Sequence, residues 1–379
     1  MTDYAELALL PEGLHDDLPP FAGHEARSIE HLVTQFEAHG YEQVKPPLIE
    51  FEESLLAGPG AGVARHMFRL MDPISQRMMG LRADMTTQVA RIAATRLKDA
   101  PRPLRLCYAG QVLRVRGSQL RPERQYAQAG VELIGAEGVA CDAEVVLLAA
   151  EALHALGVQG LSVDLTVPSL VPLLTQALGL DGAGAEAARQ ALDARDGAAI
   201  EALPAAVRQQ LGDLMRAAGP AKSALERLAD LDLPTPARAS CDHLAALVDC
   251  LGKDNGGLTL TIDPGESRGF EYQTGVSFSL FADGVRGELG RGGRYPLESG
   301  ESAIGFTLYL DSLMRAAPER AAPKRLYLPF GAAGERARQL RAAGWATVQG
   351  LDAEADVEAE ARRLTCGHML HGDQVKALP

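Results

Sequence analysis

Two stretches constrain this chain more than any others. They are Arg105-Leu106-Cys107-Tyr108-Ala109-Gly110-Gln111-Val112-Leu113-Arg114 and Arg124-Gln125-Tyr126-Ala127-Gln128-Ala129-Gly130-Val131-Glu132-Leu133-Ile134-Gly135. Both read as strands, near 104–115 and 125–134, and the loop that joins them is rich in Arg and Gly. Around this pair the chain alternates helical and strand-like patterns, so the core is a sheet flanked by helices. With 379 residues, 46% of them hydrophobic, such a core needs no disulfide or metal staple.

Upstream, Ile29, Leu32, Val33 and Phe36 recur at helical spacing, giving an amphipathic helix over 22–39 closed by Gly40. Val44-Lys45-Pro46-Pro47-Leu48-Ile49 follows as an edge or interface strand, because its prolines exclude a central position. Met67–Asp72 and Met78–Arg82 read as two strands about a turn at Pro73 and Ser75, and Thr86 or Thr87 caps a helix to about Leu97. Asp142 starts a helix through Leu156, and Leu161–Val167 is a strand. Residues 180–236, rich in Ala and Leu, read as a helical insertion. Then come a strand at Leu258–Ile262, a hairpin across Phe270–Phe281, a strand at Val285–Gly290, and a strand–helix unit at Ala303–Arg315. After Pro318–Pro323 a new unit opens with strand 325–329, helix 334–343, strand 345–348 and a further helix near 354–363. The organisation is therefore 1–317 as the core and 323–379 as a short α/β unit.

Thirty-seven basic residues against fifty acidic ones leave a net charge of −13, which disfavours a polyanion such as tRNA. Arg102, Arg105, Arg114, Arg116, Arg121 and Arg124 read as site-lining and surface arginines and not as an RNA track. The five cysteines are odd in number and scattered, so reduced thiols are expected. Cys366, His368 and His371 form no zinc site by this reading, and no cofactor is indicated. Gly58-Pro59-Gly60-Ala61-Gly62 reads as a flexible loop, since no Lys-Ser or Lys-Thr follows it. No apolar run is long enough to span a membrane, the first residues lack a basic start, and the expected address is the cytoplasm.

The two opening stretches resemble the second signature motif of a class II aminoacyl-tRNA synthetase, specifically histidyl-tRNA synthetase. Gly40–Pro47 resembles the first, dimer-forming motif, and Ala303–Arg315 stands at the third. The resemblance implies an α+β fold: the class II synthetase-like antiparallel sheet flanked by helices, with a helical insertion and a short α/β C-terminal unit. About fifty residues remain where the anticodon-binding domain needs roughly twice as many.

The resemblance also carries a pocket. Arg82-Ala83-Asp84-Met85-Thr86 resembles the Arg-Pro-Glu-Gly-Thr loop that holds an amino acid's ammonium, which places Asp84 and Thr86 there with Gln128 beside them. Glu132 matches the acid that faces the imidazole of histidine. Arg268-Gly269-Phe270-Glu271-Tyr272-Gln273-Thr274-Gly275 resembles the histidine-specific Arg-Gly-Leu-Asp-Tyr-Tyr-Thr-Gly signature, with Arg268 for the carboxylate, Tyr272 kept, and Gln273 in place of the second tyrosine. An acid, a cation and hydrogen-bond partners are what a free amino acid requires.

The nucleotide side departs further. Arg114 matches the motif-two arginine, but Arg116 replaces a glutamate two residues on. In Gly305-Phe306-Thr307-Leu308-Tyr309-Leu310-Asp311-Ser312-Leu313, Ser312 occupies the position of the arginine that clamps the γ-phosphate. Adenylate formation depends on such cations. Gly292-Gly293-Arg294-Tyr295-Pro296-Leu297 also departs from Gly-Gly-Arg-Tyr-Asp-Gly. A synthetase-like core with damaged activation motifs and no full anticodon-binding domain resembles the regulatory subunit family of short-form ATP phosphoribosyltransferase. That implies a non-catalytic chain with no catalytic residues of its own, partnered by a short catalytic subunit and by itself as a homodimer, with histidine as effector. A divergent working synthetase, or a synthetase-like scaffold with a dead pocket, are the alternatives.

Overall fold

The computed structural model describes residues 8–57, 62, 64–118, 121–253, 257–266, 273–319 and 322–379. By contacts the chain divides into Met1–Leu18 with Glu25–Pro318, and Pro19–His24 with Glu319–Pro379. The first unit is built on a nine-stranded sheet. Its strands are β1 (Glu42–Gln43), β5 (Leu104–Leu113), β6 (Gln125–Ile134), β7 (Leu161–Thr166), β8 (Gly219–Pro220), β9 (Thr259–Ile262), β10 (Ser277–Ala282), β11 (Gly290–Pro296) and β12 (Ser302–Tyr309). They are ordered β1-β5-β6-β12-β11-β10-β7-β9-β8. Only β1–β5 and β7–β9 pair in parallel. A small antiparallel sheet, β2-β4-β3, is formed by Ile49–Phe51, Met78–Leu81 and Arg69–Met71. The fold is α+β with a mostly antiparallel sheet, as the sequence predicts.

The strand period of two divides the sheet into two faces. From β6, Ala127, Ala129, Val131 and Leu133 join Ile304, Phe306 and Leu308 of β12 in the main core. Leu32 and Phe36 of helix Phe21–Ala38, and the inner residues of helix Val139–Ala155, cover that face. Phe36 stacks edge-on against Phe306 at 5.6 Å between centroids. The even residues of β6 and odd residues of β12 face the opposite way, toward the site.

Several local expectations shift. The proline segment is not a strand: Glu42–Gln43 pair with β5, Val44 N–H still donates to Cys107 O, and pairing resumes only at Ile49 in the small sheet. Pro46 and Pro47 carry no N–H to continue the ladder, and their carbonyls accept from Arg82 Nη1 and Gln88 Nε2. Helix Thr86–Thr95 has no threonine cap, because Asp84 Oδ1 accepts the Thr86 N–H at 2.9 Å. Asp142 does not start its helix. Gly138, at φ +101, precedes Val139–Ala155, while the fully buried Asp142 carboxylate turns inward to Arg294 and His243. The strand expected at Val285–Gly290 is instead a turn with Gly284 and Gly287 at positive φ, and β11 begins where it was to end. The hairpin start at Phe270 and most of the Gly58–Gly62 loop lie outside the described residues.

Where a helical insertion is expected lie four helices (Gly182–Asp193, Gly197–Glu201, Ala205–Ala217 and Ala221–Ala229), with the short strand β8 between the last two paired to β9, and Thr235–Lys253 follows them as a nineteen-residue helix. The second unit holds β13 (Arg325–Leu328), β14 (Ala346–Gln349), β15 (His368–His371) and β16 (Gln374–Ala377), ordered β14-β13-β15-β16. The β15–β16 hairpin is not evident from the sequence pattern. It orients His368 onto Trp345, with ring centroids 4.7 Å apart. Among the described residues, no group of three His, Cys, Asp or Glu is placed to hold a metal, and no helix is long and apolar enough to cross a membrane.

Candidate functional site

The site lies on the sheet face opposite the main core, and its layout follows from register. Leu106, Glu132, Gly305 and Gly293 stand side by side across β5, β6, β12 and β11. The next row is Tyr108, Gly130, Thr307 and Arg291. Along each of β6, β12 and β11, polar side chains on this face alternate with glycines: Gln128, Gly130 and Glu132, then Gly305 and Thr307, then Arg291 and Gly293. The glycines are spatially required: a Cβ at Gly305 would stand 2.0 Å from Glu132 Oε2, and one at Gly130 2.6 Å from the Tyr108 hydroxyl. Small residues in these strands make room for large polar neighbours.

Glu132 is the centre of the web. Tyr295 OH donates to its Oε2 at 2.8 Å and Tyr108 OH to its Oε1 at 3.4 Å. Tyr108 OH also shares hydrogen bonds with Thr307 Oγ1 at 2.7 Å and Thr86 Oγ1 at 3.3 Å. Burial raises the Glu132 carboxyl to about 8, with the hydroxyl donors of Tyr295, Thr86 and Tyr108 opposing the shift and the Asp84 charge adding to it. Near neutrality this carboxyl is protonated more often than not and offers one O–H donor. Gln128 Nε2 donates to Asp84 Oδ2 at 3.2 Å and its Oε1 accepts Met85 N–H, tying the 82–86 loop to the sheet.

A narrow cavity opens over this web, lined by Asp84, Thr86, Glu132 and Gln273, with Tyr295, Thr307 and Arg291. Gln273 is 8% exposed, and among the described residues its Oε1 has no hydrogen-bond partner. Four of the expected residues therefore line one cavity and Gln128 braces it. Arg114 does not line it. Its Nε reaches Ala83 O at 3.5 Å and its guanidinium stands over Tyr126. Arg268 and Tyr272 lie outside the described residues. Sequence reasoning missed Tyr108, Thr307 and Arg291; their signal was strand parity with Glu132 across neighbouring strands.

The nucleotide-facing half is differently filled. Ser312 Oγ, on helix Leu310–Ala316, accepts from Arg121 at 3.4 Å and from Arg315 at 3.1 Å. Arg121 Nε donates to Asp311 Oδ2 at 2.9 Å, and its guanidinium lies 3.8 Å over the Tyr309 ring.

The profile of the histidyl-tRNA synthetase family matches residues 13–313. The chain is 56% identical over 373 residues to the ATP phosphoribosyltransferase regulatory subunit of Rhodospirillum centenum, covering 98% of this chain and 97% of that protein. It is 55% identical to that of Paramagnetospirillum magneticum, with 99% of both covered. The chain belongs to the ATP phosphoribosyltransferase regulatory subunit family. A crystal structure described as an ATP phosphoribosyltransferase regulatory subunit/histidyl-tRNA synthetase from Bacillus halodurans superposes with a TM-score of 0.83 at 25% identity, covering 94% of this chain and 96% of that one. As an ATP phosphoribosyltransferase regulatory subunit of histidine biosynthesis, the chain is non-catalytic.

In this regulatory subunit the arginine-rich stretch is largely spoken for. Arg102 pairs with Glu301 at 2.5 Å, Arg105 makes a two-pronged contact with Glu144 at 2.8 Å in each prong, and Arg121 is held by Asp311. Arg124 donates to the carbonyls of Arg114 and Glu12, and Arg116 is exposed.

Proposed function

We propose that the cavity over Glu132 is the effector site of this regulatory subunit and that its ligand is free histidine. The observation that carries the reading is the donor–acceptor set converging there. Asp84 and Thr86 suit an ammonium, and a protonated Glu132 donates to one imidazole nitrogen while Gln273 Oε1, without a partner among the described residues, accepts from the other nitrogen's N–H. Arg268, with Tyr272 nearby in sequence, supplies the carboxylate partner by family resemblance. The regulatory chain works in the cytoplasm with a separate short catalytic phosphoribosyltransferase, as a homodimer through the 22–50 region, with no tRNA. Histidine inhibits by binding one quaternary state of the assembly more tightly than another.

The deciding experiment is calorimetric titration of histidine into the assembled enzyme, with activity measured with and without histidine. Glu132→Ala and Arg268→Ala should each weaken binding by about ten- to a hundredfold, because truncating a desolvated charged or hydrogen-bonded contact removes a few kcal/mol. Inhibition should shift in parallel. Wild-type assembly that is inhibited without binding histidine at this site, or variants with unchanged inhibition, would place feedback elsewhere.

A further inference from the structure

We propose that Arg121 is a built-in plug: its guanidinium occupies the slot in which a synthetase-type site would take a purine, so the regulatory subunit accepts an amino acid without a nucleotide. The proposal uses the reading of the neighbouring half as an amino-acid site only to locate the slot.

Three observations meet at this residue. The first is position. Ser312 stands where the resemblance places the phosphate-clamping arginine, and its Oγ accepts from Arg315 of its own helix at 3.1 Å and from Arg121, in the connection between β5 and β6, at 3.4 Å. The second is stacking. The Arg121 guanidinium lies 3.8 Å over Tyr309 and 5.0 Å from the centroid of Tyr126, and the two rings meet edge-on at 6.2 Å. A planar cation on an aromatic face takes the surface that a stacked base would use. The third is charge. Arg121 and Asp311 are 12% and 7% exposed and 2.9 Å apart, so the cation is already matched and is not presented to a phosphate.

One detail indicates what the slot would hold if emptied. Asp311 Oδ1 is buried and has no hydrogen-bond partner among the described residues. Beside two tyrosine rings, an unmet carboxylate acceptor suits the exocyclic amine or the ribose hydroxyls of adenosine.

The test is calorimetric titration of the full-length chain with adenosine and, separately, with ATP, each alongside histidine. Wild type should give no saturable signal with either nucleotide to roughly 1 mM. Arg121→Ala should acquire saturable adenosine binding, tightened by at least about tenfold over any wild-type signal. Arg121→Ala/Asp311→Asn removes the unpaired carboxylate charge and should behave alike, so a poorly folded single variant does not decide the matter. Arg121→Met, which refills the slot with an apolar stem, should not bind. Adenosine binding by wild type, or no gain in either emptied variant once thermal melts show them folded, overturns the plug. The histidine titration is read independently: its failure beside a gain of adenosine binding would reject the effector reading and leave the plug standing.

Discussion

The two halves of the site have the same sheet beneath them and opposite internal economies. On the side of Glu132, polar groups converge on a cavity, and the buried Gln273 Oε1 has no partner among the described residues. On the side of Ser312 the charges are already matched, Arg121 with Asp311 Oδ2 and both Arg121 and Arg315 with Ser312 Oγ, although Asp311 Oδ1 is likewise buried without a partner among the described residues. The first arrangement costs stability and is poised for a ligand. The second spends its charge on folding. Two halves of one sheet can thus differ in how far their polar groups are already paired, since fold and site are separable.

If that contrast is right, the largest effect on stability should come from the nucleotide side. Asp311→Ala leaves Arg121 only 12% exposed and without its carboxylate. Breaking such a pair should lower the unfolding free energy by about 3 kcal/mol, at the low end for buried pairs because the guanidinium keeps a path to water. Histidine affinity should be unchanged. Urea unfolding and calorimetry on the same preparation check both, and a large loss of affinity with little loss of stability would invert the comparison.

A smaller effect, carried by pH, should mark the amino-acid side. Burial raises Glu132 from 4.5 to about 8, so between those values the folded chain holds a proton that the unfolded chain releases. The favourable contribution is complete below about 4.5 and is lost as pH rises through about 8. Glu132→Gln is uncharged throughout and lacks this dependence. Glu266, raised to about 7 chiefly by burial, titrates in an overlapping range in both proteins and cancels in the difference. The stability of wild type relative to Glu132→Gln should therefore fall by about 4 kcal/mol from pH 5 to pH 9. Parallel curves from urea midpoints would mean that Glu132 is not held neutral by burial.

The motifs revealed the sheet, its order of elements and four residues of the cavity lining, Asp84, Thr86, Glu132 and Gln273, while the rest of the lining follows only from the pairing of β11 and β12 with β6. They did not reveal Arg121. Nothing in local spacing tells that a side chain from the β5–β6 connection crosses to Asp311, 190 residues away. The same limit applies to Asp142, whose helical position suggested a start signal. Its real partners, Arg294 and His243, come from β11 and the helix Thr235–Lys253. The cap expected of Thr86 comes instead from Asp84 two residues upstream, while Thr86 Oγ1 is taken by Tyr108. Local chemistry sets the elements, and long-range pairing decides which polar groups remain available.

The smallest expected effect gives the finest discrimination. Gln273→Leu replaces an amide whose Oε1 is buried and has no partner among the described residues with an apolar group of similar volume. If the oxygen serves the fold, through a contact made on the ligand-free chain, the variant should be destabilised. If it is held open for a ligand N–H, the variant loses only a desolvation penalty and should be unchanged or more stable by up to about 1 kcal/mol. Histidine should then bind about tenfold more weakly, the worth of one neutral hydrogen bond in a desolvated pocket. Stability and affinity would move in opposite directions in one substitution, the reverse of the pattern expected for Asp311→Ala. A variant that is both less stable and unaltered in histidine binding would make Gln273 a structural residue and remove the imidazole acceptor from the site.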